Sequence, residues 1–281
     1  MNPDAIRLIH ISDVHFGRED RAALEQLGSF TRRVRPDAVI FAGDITQKGR
    51  HSEFAAAREW LDNLEFPVIA APGNHDTPLI NMTARMLKPF ARYTRYMDGM
   101  DCVDRLVELR GGAVRIVAIN SARGVQGRLN WADGVIDIED LETALALLAG
   151  GREDAWRLLI CHHPLHEPGL SQVSVQTKRG TDALRLCVRA HVDAILTGHI
   201  HDAFAHAITN TRRPMVQMGS GTLSTRLRGT APSFCMLQME NGRLTQDVVS
   251  IELAGLTVRR NYDSSVGAPP QSDGTPLPAP R

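Results

Sequence analysis

Short apolar runs recur along the chain, and many stop on a polar or glycine-containing cluster. Ile6 to Ser12 reads Ile-Arg-Leu-Ile-His-Ile-Ser and stops at Asp13, Ala38 to Ala42 stops at Gly43-Asp44, and Pro67 to Ala71 stops at Pro72-Gly73. Their length and β-branched content predict buried strands. Between them the period changes. Arg18 to Arg35 carries Ala22, Ala23, Leu27, Phe30 and Val34 at near-helical spacing before Pro36, and Ser52 to Leu64 carries Phe54, Ala57, Leu61 and Leu64 on one helical face. Further strands are predicted at Val114–Ile119, Arg157–Cys161, Ala194–Thr197, Met215–Met218 and Phe234–Met239, with helices near Ile138–Leu148 and Thr181–Ala190. Such alternation predicts an α/β sandwich.

Ala84 to Met100 interleaves Phe90, Tyr93 and Tyr96 with Arg85, Lys88, Arg92 and Arg95. A nucleic-acid stacking strip has that composition, but helical periodicity is the commoner cause, so a helix with aromatics inward and arginines outward is expected. Gly267 to Arg281 holds five prolines and two glycines, with Leu277 its only large apolar side chain. A segment with so little apolar surface cannot offset its ordering entropy. The expected organisation is one domain over residues 1–259 and a disordered tail over 260–281.

Composition narrows the partners. Of 281 residues 43% are hydrophobic, and Lys plus Arg equals Asp plus Glu at 32 each, so no whole-molecule basic field is available to hold nucleic acid. The N-terminal stretch lacks the order of a secretory signal. No span approaches the roughly 20 apolar residues of a membrane crossing. Cys102, Cys161, Cys187 and Cys235 are scattered without paired short spacing, which fits neither a disulfide framework nor a thiolate zinc site. A cytoplasmic location without membrane partners is the expectation, and no pattern specifies an oligomeric state.

The strand-ending clusters carry the chemistry. They are Asp13-Val14-His15, Gly43-Asp44, Gly73-Asn74-His75-Asp76, His162-His163-Pro164 and Gly198-His199-Ile200-His201. Open α/β sheets place ligand sites at the carboxyl ends of their strands, so the fold should gather these groups on one rim. Imidazole, carboxylate and carboxamide without thiolate suit manganese, iron or zinc. Asp13/His15 and His199/His201 are spaced i, i+2, which in extended backbone puts both side chains on one side. Two cations about 3.5–4 Å apart need a shared anionic oxygen, and Asp44 is the candidate bridge.

In their order, D-x-H, G-D, G-N-H-D, H-x-P and G-H-x-H, the clusters resemble the signature of the calcineurin-like metallophosphoesterases across Asp13 to His201. The resemblance implies a four-layer αββα sandwich of two mixed β-sheets flanked by helices. It also implies one divalent metal on Asp13, His15, Asp44 and His201, and a second on Asp44, Asn74, His162 and His199. His75 would then stay off the metals and assist the leaving oxygen, with Asn74 and, less strongly, His163 also near the phosphate. Asp76 either orients a ring or caps the following segment. A metal-bound water, its pKa lowered from 15.7 to about 7, would be the nucleophile.

The expected reaction is hydrolysis of a small phosphodiester. The Gly127-Arg128-Leu129 and His162-His163-Pro164-Leu165 segments resemble the bacterial cyclic-nucleotide phosphodiesterase branch, and cyclic AMP is the leading substrate class. A glycerophosphodiester or a broader range of esters is the alternative. Candidates for base recognition are Arg123, Asn130, Trp131 and Gly219-Ser220-Gly221-Thr222, although that run also suits a turn. A noncatalytic binding module is the competing class, and it is disfavoured because none of the ligand positions is missing.

Overall fold

The computed structural model describes residues 4–126, 132–167, 177–208 and 215–266. The first cycle of strand and helix is β1 (Ile6–Ile11), α1 (Arg21–Val34), β2 (Ala38–Ala42), α2 (His51–Asp62) and β3 (Val68–Ala71). α1 starts later than periodicity predicts because the Asp20 carboxylate accepts the Ala23 N–H at 3.0 Å and fixes the first turn. It ends where Arg35 enters the left-handed region at φ +46°, one residue before Pro36.

Beyond β3 come a 3-10 turn (Asn74–Asp76), α3 (Met82–Leu87), α4 (Ala91–Tyr96), β4 (Val107–Leu109), β5 (Val114–Ala118), β6 (Gly134–Val135), α5 (Ile138–Ala149) and β7 (Trp156–Ile160). The chain continues through β8 (Thr177–Lys178), α6 (Gly180–Arg189), β9 (Ala194–Thr197), β10 (Phe204–Ile208), β11 (Met215–Gly219), β12 (Ser233–Glu240), β13 (Arg243–Glu252) and β14 (Gly255–Asp263).

Two six-stranded mixed sheets form, in the orders β14-β13-β12-β1-β2-β3 and β10-β11-β9-β7-β5-β4. In the first, β1, β2 and β3 are parallel and β12 runs antiparallel to β1. In the second, β5, β7, β9 and β11 are parallel and the outer strands are antiparallel. Strand alternation divides the core accordingly. Leu8, Ile40, Ile69, Ile116, Leu158 and Leu196 meet between the sheets, whereas Ile9, Val39 and Phe41 face α1 and α2, and Val117, Leu159 and Ile195 face α5 and α6. The layers are therefore helix, sheet, sheet, helix, as expected.

Three expectations change. The single helix over 84–100 is two short helices: Pro89 forces Lys88 out of helical geometry, to φ −145° and ψ 66°. Tyr93 is buried and Tyr96 stacks on Phe54, yet Arg85 also turns inward and donates to the Gly124 carbonyl at 2.6 Å. The proposed boundary at residue 260 falls inside β14, where Arg260 and Tyr262 pair with β13 and Tyr262 is buried; the tail expected over 267–281 lies outside the described residues. Among the described residues no helix is long and apolar enough to cross a membrane.

Candidate metal centre

The carboxyl ends of β1, β2, β7 and β9 open onto one rim, and the polar clusters sit just past them. Asp13, His15, Asp44, His199 and His201 all have positive φ, between 51° and 71°. Non-glycine residues adopt this region infrequently, and Asp and His do so more readily than most. Asp13/His15 and His199/His201 therefore lie in left-handed turns and not in the extended backbone that the i, i+2 reading assumed. The turn splits the second pair: His201 joins Asp13 and His15, while His199 lies beside His162 and His163.

Distances define a continuous cluster. His201 Nε2 is 3.2 Å from Asp13 Oδ1 and 3.2 Å from His15 Nε2. Asp44 Oδ2 is 3.3 Å from His162 Nε2 and 3.8 Å from His15 Nε2, so one carboxylate faces both groups of imidazoles. The other oxygens of these carboxylates are held by main-chain N–H groups and the Ser12 hydroxyl. Asp13 Oδ2 accepts His199 N–H at 2.8 Å and the Ser12 hydroxyl at 2.6 Å, and Asp44 Oδ1 accepts His75 N–H at 2.8 Å.

The imidazoles are oriented from behind. His162 Nδ1 donates to the Ala42 carbonyl at 2.8 Å, His201 Nδ1 to Arg226 at 2.9 Å and His75 Nδ1 to Gln47 at 2.8 Å. With the proton on Nδ1, each Nε2 presents a lone pair to the centre. Apart from their ion-pair contacts, Asp13 Oδ1, Asn74 Oδ1 and His162 Nε2 are buried without a well-formed hydrogen bond among the described residues. Acceptor atoms left unsatisfied in one pocket are costly unless a cation completes them. This donor set of nitrogens and oxygens fits divalent metals.

Electrostatics agree. Burial would raise the carboxyl pKa values, but His201 holds Asp13, and His162 with His75 holds Asp44, well below the ordinary range. Burial lowers His15 and His199 to about 3 each, so both rings are neutral at neutral pH. Burial also disfavours charge on His162, yet the adjacent Asp44 carboxylate outweighs it and raises His162 to about 9, so at neutral pH Nε2 carries a proton toward Asp44 and exposes its lone pair only when a cation displaces that proton.

Other expected residues are placed differently. Both ring nitrogens of His163 are engaged, Nδ1 with the Ser121 hydroxyl and Nε2 with the Ala132 carbonyl, each at 2.9 Å. Its ring packs against His162 and His199 and has no nitrogen free for phosphate. Asp76 accepts from Thr46 N at 2.8 Å, Gly73 N at 2.9 Å and Ile45 N at 3.2 Å, so it laces two loops together and orients no ring. Ser220 and Thr222 are buried, with hydroxyls bonded to His10 O and Asp13 O. The Gly219–Thr222 run is thus a lock on β1 and not a base-recognition surface. Arg123 bonds to the Asn120 carbonyl at 3.2 Å, and Asn130, Trp131 and the 127–129 segment lie outside the described residues.

Residues 6–203 match the family model described as calcineurin-like phosphoesterase. The chain belongs to that family. Among relatives of this phosphoesterase, a probable cyclic nucleotide phosphodiesterase of Synechococcus sp. is 26% identical over 215 residues, covering 71% of this chain and 74% of the relative. A glycerophosphodiester phosphodiesterase of Enterobacter lignolyticus is 38% identical over 82 residues, 25% of this chain and 29% of that protein. The solved structure of a dimetal phosphatase from Danio rerio shares the fold at a TM-score of 0.65 and 14% identity, over 90% of this chain and 98% of that one.

Sequence reasoning missed Arg226. Its Nη1 lies 3.2 Å from His15 Nε2 and 3.3 Å from His75 Nε2. A usable signal existed in Ser224-Thr225-Arg226-Leu227-Arg228-Gly229, a basic and polar stretch soon after a strand that ends on the site's rim.

Proposed function

We propose that this phosphoesterase is a dinuclear-metal-dependent phosphodiesterase that hydrolyses a small phosphodiester, with a cyclic nucleotide such as cyclic AMP as the leading substrate class. One observation carries the reading: buried, inward-facing oxygen and nitrogen acceptors converge around Asp44, with His75 beside them. The family and the names of its relatives support it.

In this reading Asp13, His15, Asp44 and His201 hold one cation and Asp44, Asn74, His162 and His199 hold the other, with manganese, iron or zinc as suitable metals. When bound, the cations polarise the phosphoryl group and make a water nucleophile available near neutral pH. The chain's own residues then position and protonate. His75, with Nδ1 fixed on Gln47 O, directs Nε2 toward the centre, where its protonated form can donate to the departing oxygen. Asp44 fixes His75 in turn through the His75 N–H. A glycerophosphodiester is the second reading, favoured by the local similarity to the Enterobacter enzyme.

The test is a panel of 3′,5′- and 2′,3′-cyclic nucleotides, glycerophosphodiesters, an aryl phosphodiester and phosphomonoesters with manganese, iron or zinc. Turnover of diesters is the expected result. Preference for monoesters would overturn the substrate class, and failure to hydrolyse any ester would restore the noncatalytic reading.

A further inference from the structure

Arg226 reaches the metal centre from a loop that is tied down on several sides. Thr222 Oγ1 donates to the Asp13 carbonyl at 2.7 Å, Ser224 Oγ lies 2.7 Å from Thr222 Oγ1, and Arg226 N donates to Ser224 Oγ at 3.2 Å. Leu223 is buried in the core against α1, its carbonyl accepts Asp20 N–H at 2.9 Å, and Thr225 N–H donates to Arg18 O at 2.9 Å. Arg226 is therefore delivered by fixed backbone, and its own carbonyl holds His201.

Among the described residues the guanidinium meets only imidazole nitrogens, those of His15 and His75. No carboxylate is paired with it among the described residues, unlike Arg243 and Arg260, which are bound to Asp263 and Asp247. A half-buried cation placed beside a divalent-metal site is repelled by the metals it faces. An anion lying between guanidinium and metals removes that repulsion and satisfies the guanidinium donors. A phosphodiester carries two non-bridging oxygens, and the planar fork of an arginine matches such a pair.

We infer that Arg226 is the phosphate-binding residue of this site, contacting a non-bridging oxygen of the anionic ester on the His75 side. This rests on the reading of the pocket as a phosphodiesterase centre. It assigns the recognition of negative charge to a loop beyond the metal-ligand clusters, and makes Arg226 a determinant of binding more than of bond cleavage.

The experiment uses the full chain loaded with manganese, as wild type, Arg226→Ala and Arg226→Lys, with inorganic phosphate titrated by calorimetry and metal content measured by elemental analysis. In Arg226→Ala, phosphate affinity should fall about 10- to 100-fold, the range for loss of a charge-assisted hydrogen bond, with metal content unchanged. Arg226→Lys should recover part of the affinity, and KM for an aryl phosphodiester should change more than kcat. Unchanged phosphate affinity with full metal content would overturn the assignment, as would loss of metal in both variants, which would make the side chain part of the metal site. If no diester is hydrolysed yet phosphate binding still depends on Arg226, the substrate reading fails and the anion site stands. If diesters are hydrolysed and phosphate binding ignores Arg226, only the present inference fails.

Discussion

His15 Nε2 and His201 Nε2 face each other at 3.2 Å in a pocket where both residues are buried. The His201 proton is committed to the Arg226 carbonyl at Nδ1, and the Asp13 carboxylate lies alongside. Metal loading should therefore stabilise the fold, by about 3 kcal/mol at a free metal concentration 100 times the dissociation constant. Thermal unfolding with manganese and after chelation checks this; coincident curves would contradict the site.

Asp44 and His75 should separate cleanly in mutagenesis. Asp44→Asn removes the carboxylate that faces both imidazole groups and should lower metal content at both positions. His75→Ala should retain metals while turnover drops about 10²- to 10⁴-fold, the usual contribution of a positioned proton donor. Elemental analysis beside steady-state kinetics distinguishes the two; full metal occupancy in Asp44→Asn would show that the carboxylate is no bridge.

Gly73 has no room for a side chain. A Cβ there would lie 2.2 Å from Asp44 Oδ1 and 2.3 Å from Asp44 N, so Gly73→Ala must displace the carboxylate. It should cost about 1–3 kcal/mol, as overpacking does, and reduce metal binding. Gly28→Ala is the contrast: it lies inside α1 and its nearest new contact is an Arg32 nitrogen at 3.6 Å. There a gain of about 0.5–1 kcal/mol is expected from helix propensity. Urea titration of both variants measures the difference, and equal effects would refute the steric account.

His10 supplies a pH dependence. It is fully buried on β1, and among the described residues neither ring nitrogen makes a well-formed hydrogen bond. Burial lowers it to about 3, against weaker opposing effects of the Thr197 main chain and Asp13. The unfolded chain takes up this proton below about 6.5 and the folded chain does not. Stability from this group is thus fully present above pH 6.5 and is lost as pH falls toward 3. His10→Leu should reduce the slope of stability against pH in that window by about 1.4 kcal/mol per unit. Unfolding free energies at pH 5, 6 and 7 test it, and an unchanged slope would show that His10 is not neutral in the fold.

The strands that end at the site were legible because buried parallel strands are short continuous apolar runs, and β1, β2, β3 and β9 each end on Gly, Asp or Ser within two residues. β13 and β14 were not, since Gln246 and Asp247 are buried polar residues at a register shift and Arg259 and Arg260 break the alternation expected of a strand. The clusters of candidate ligands were legible as ordered residue types. Their convergence was not: it depends on left-handed turns at Asp13, Asp44, His199 and His201, which residue spacing does not encode. Arg226 escaped for a related reason, because its place is set by bonds to Asp20, Arg18 and Asp13, far away in the chain.

The acceptors behind His162, His201 and His75 are peptide oxygens of Ala42, Arg226 and Gln47. Every amino acid carries such an oxygen, so exchanging any of these three side chains leaves the aim of the imidazole intact while the local chain path persists. Ring alignment is thereby buffered against sequence drift at its own supports, and its vulnerability moves to the glycines and left-handed residues that steer the backbone around the rim.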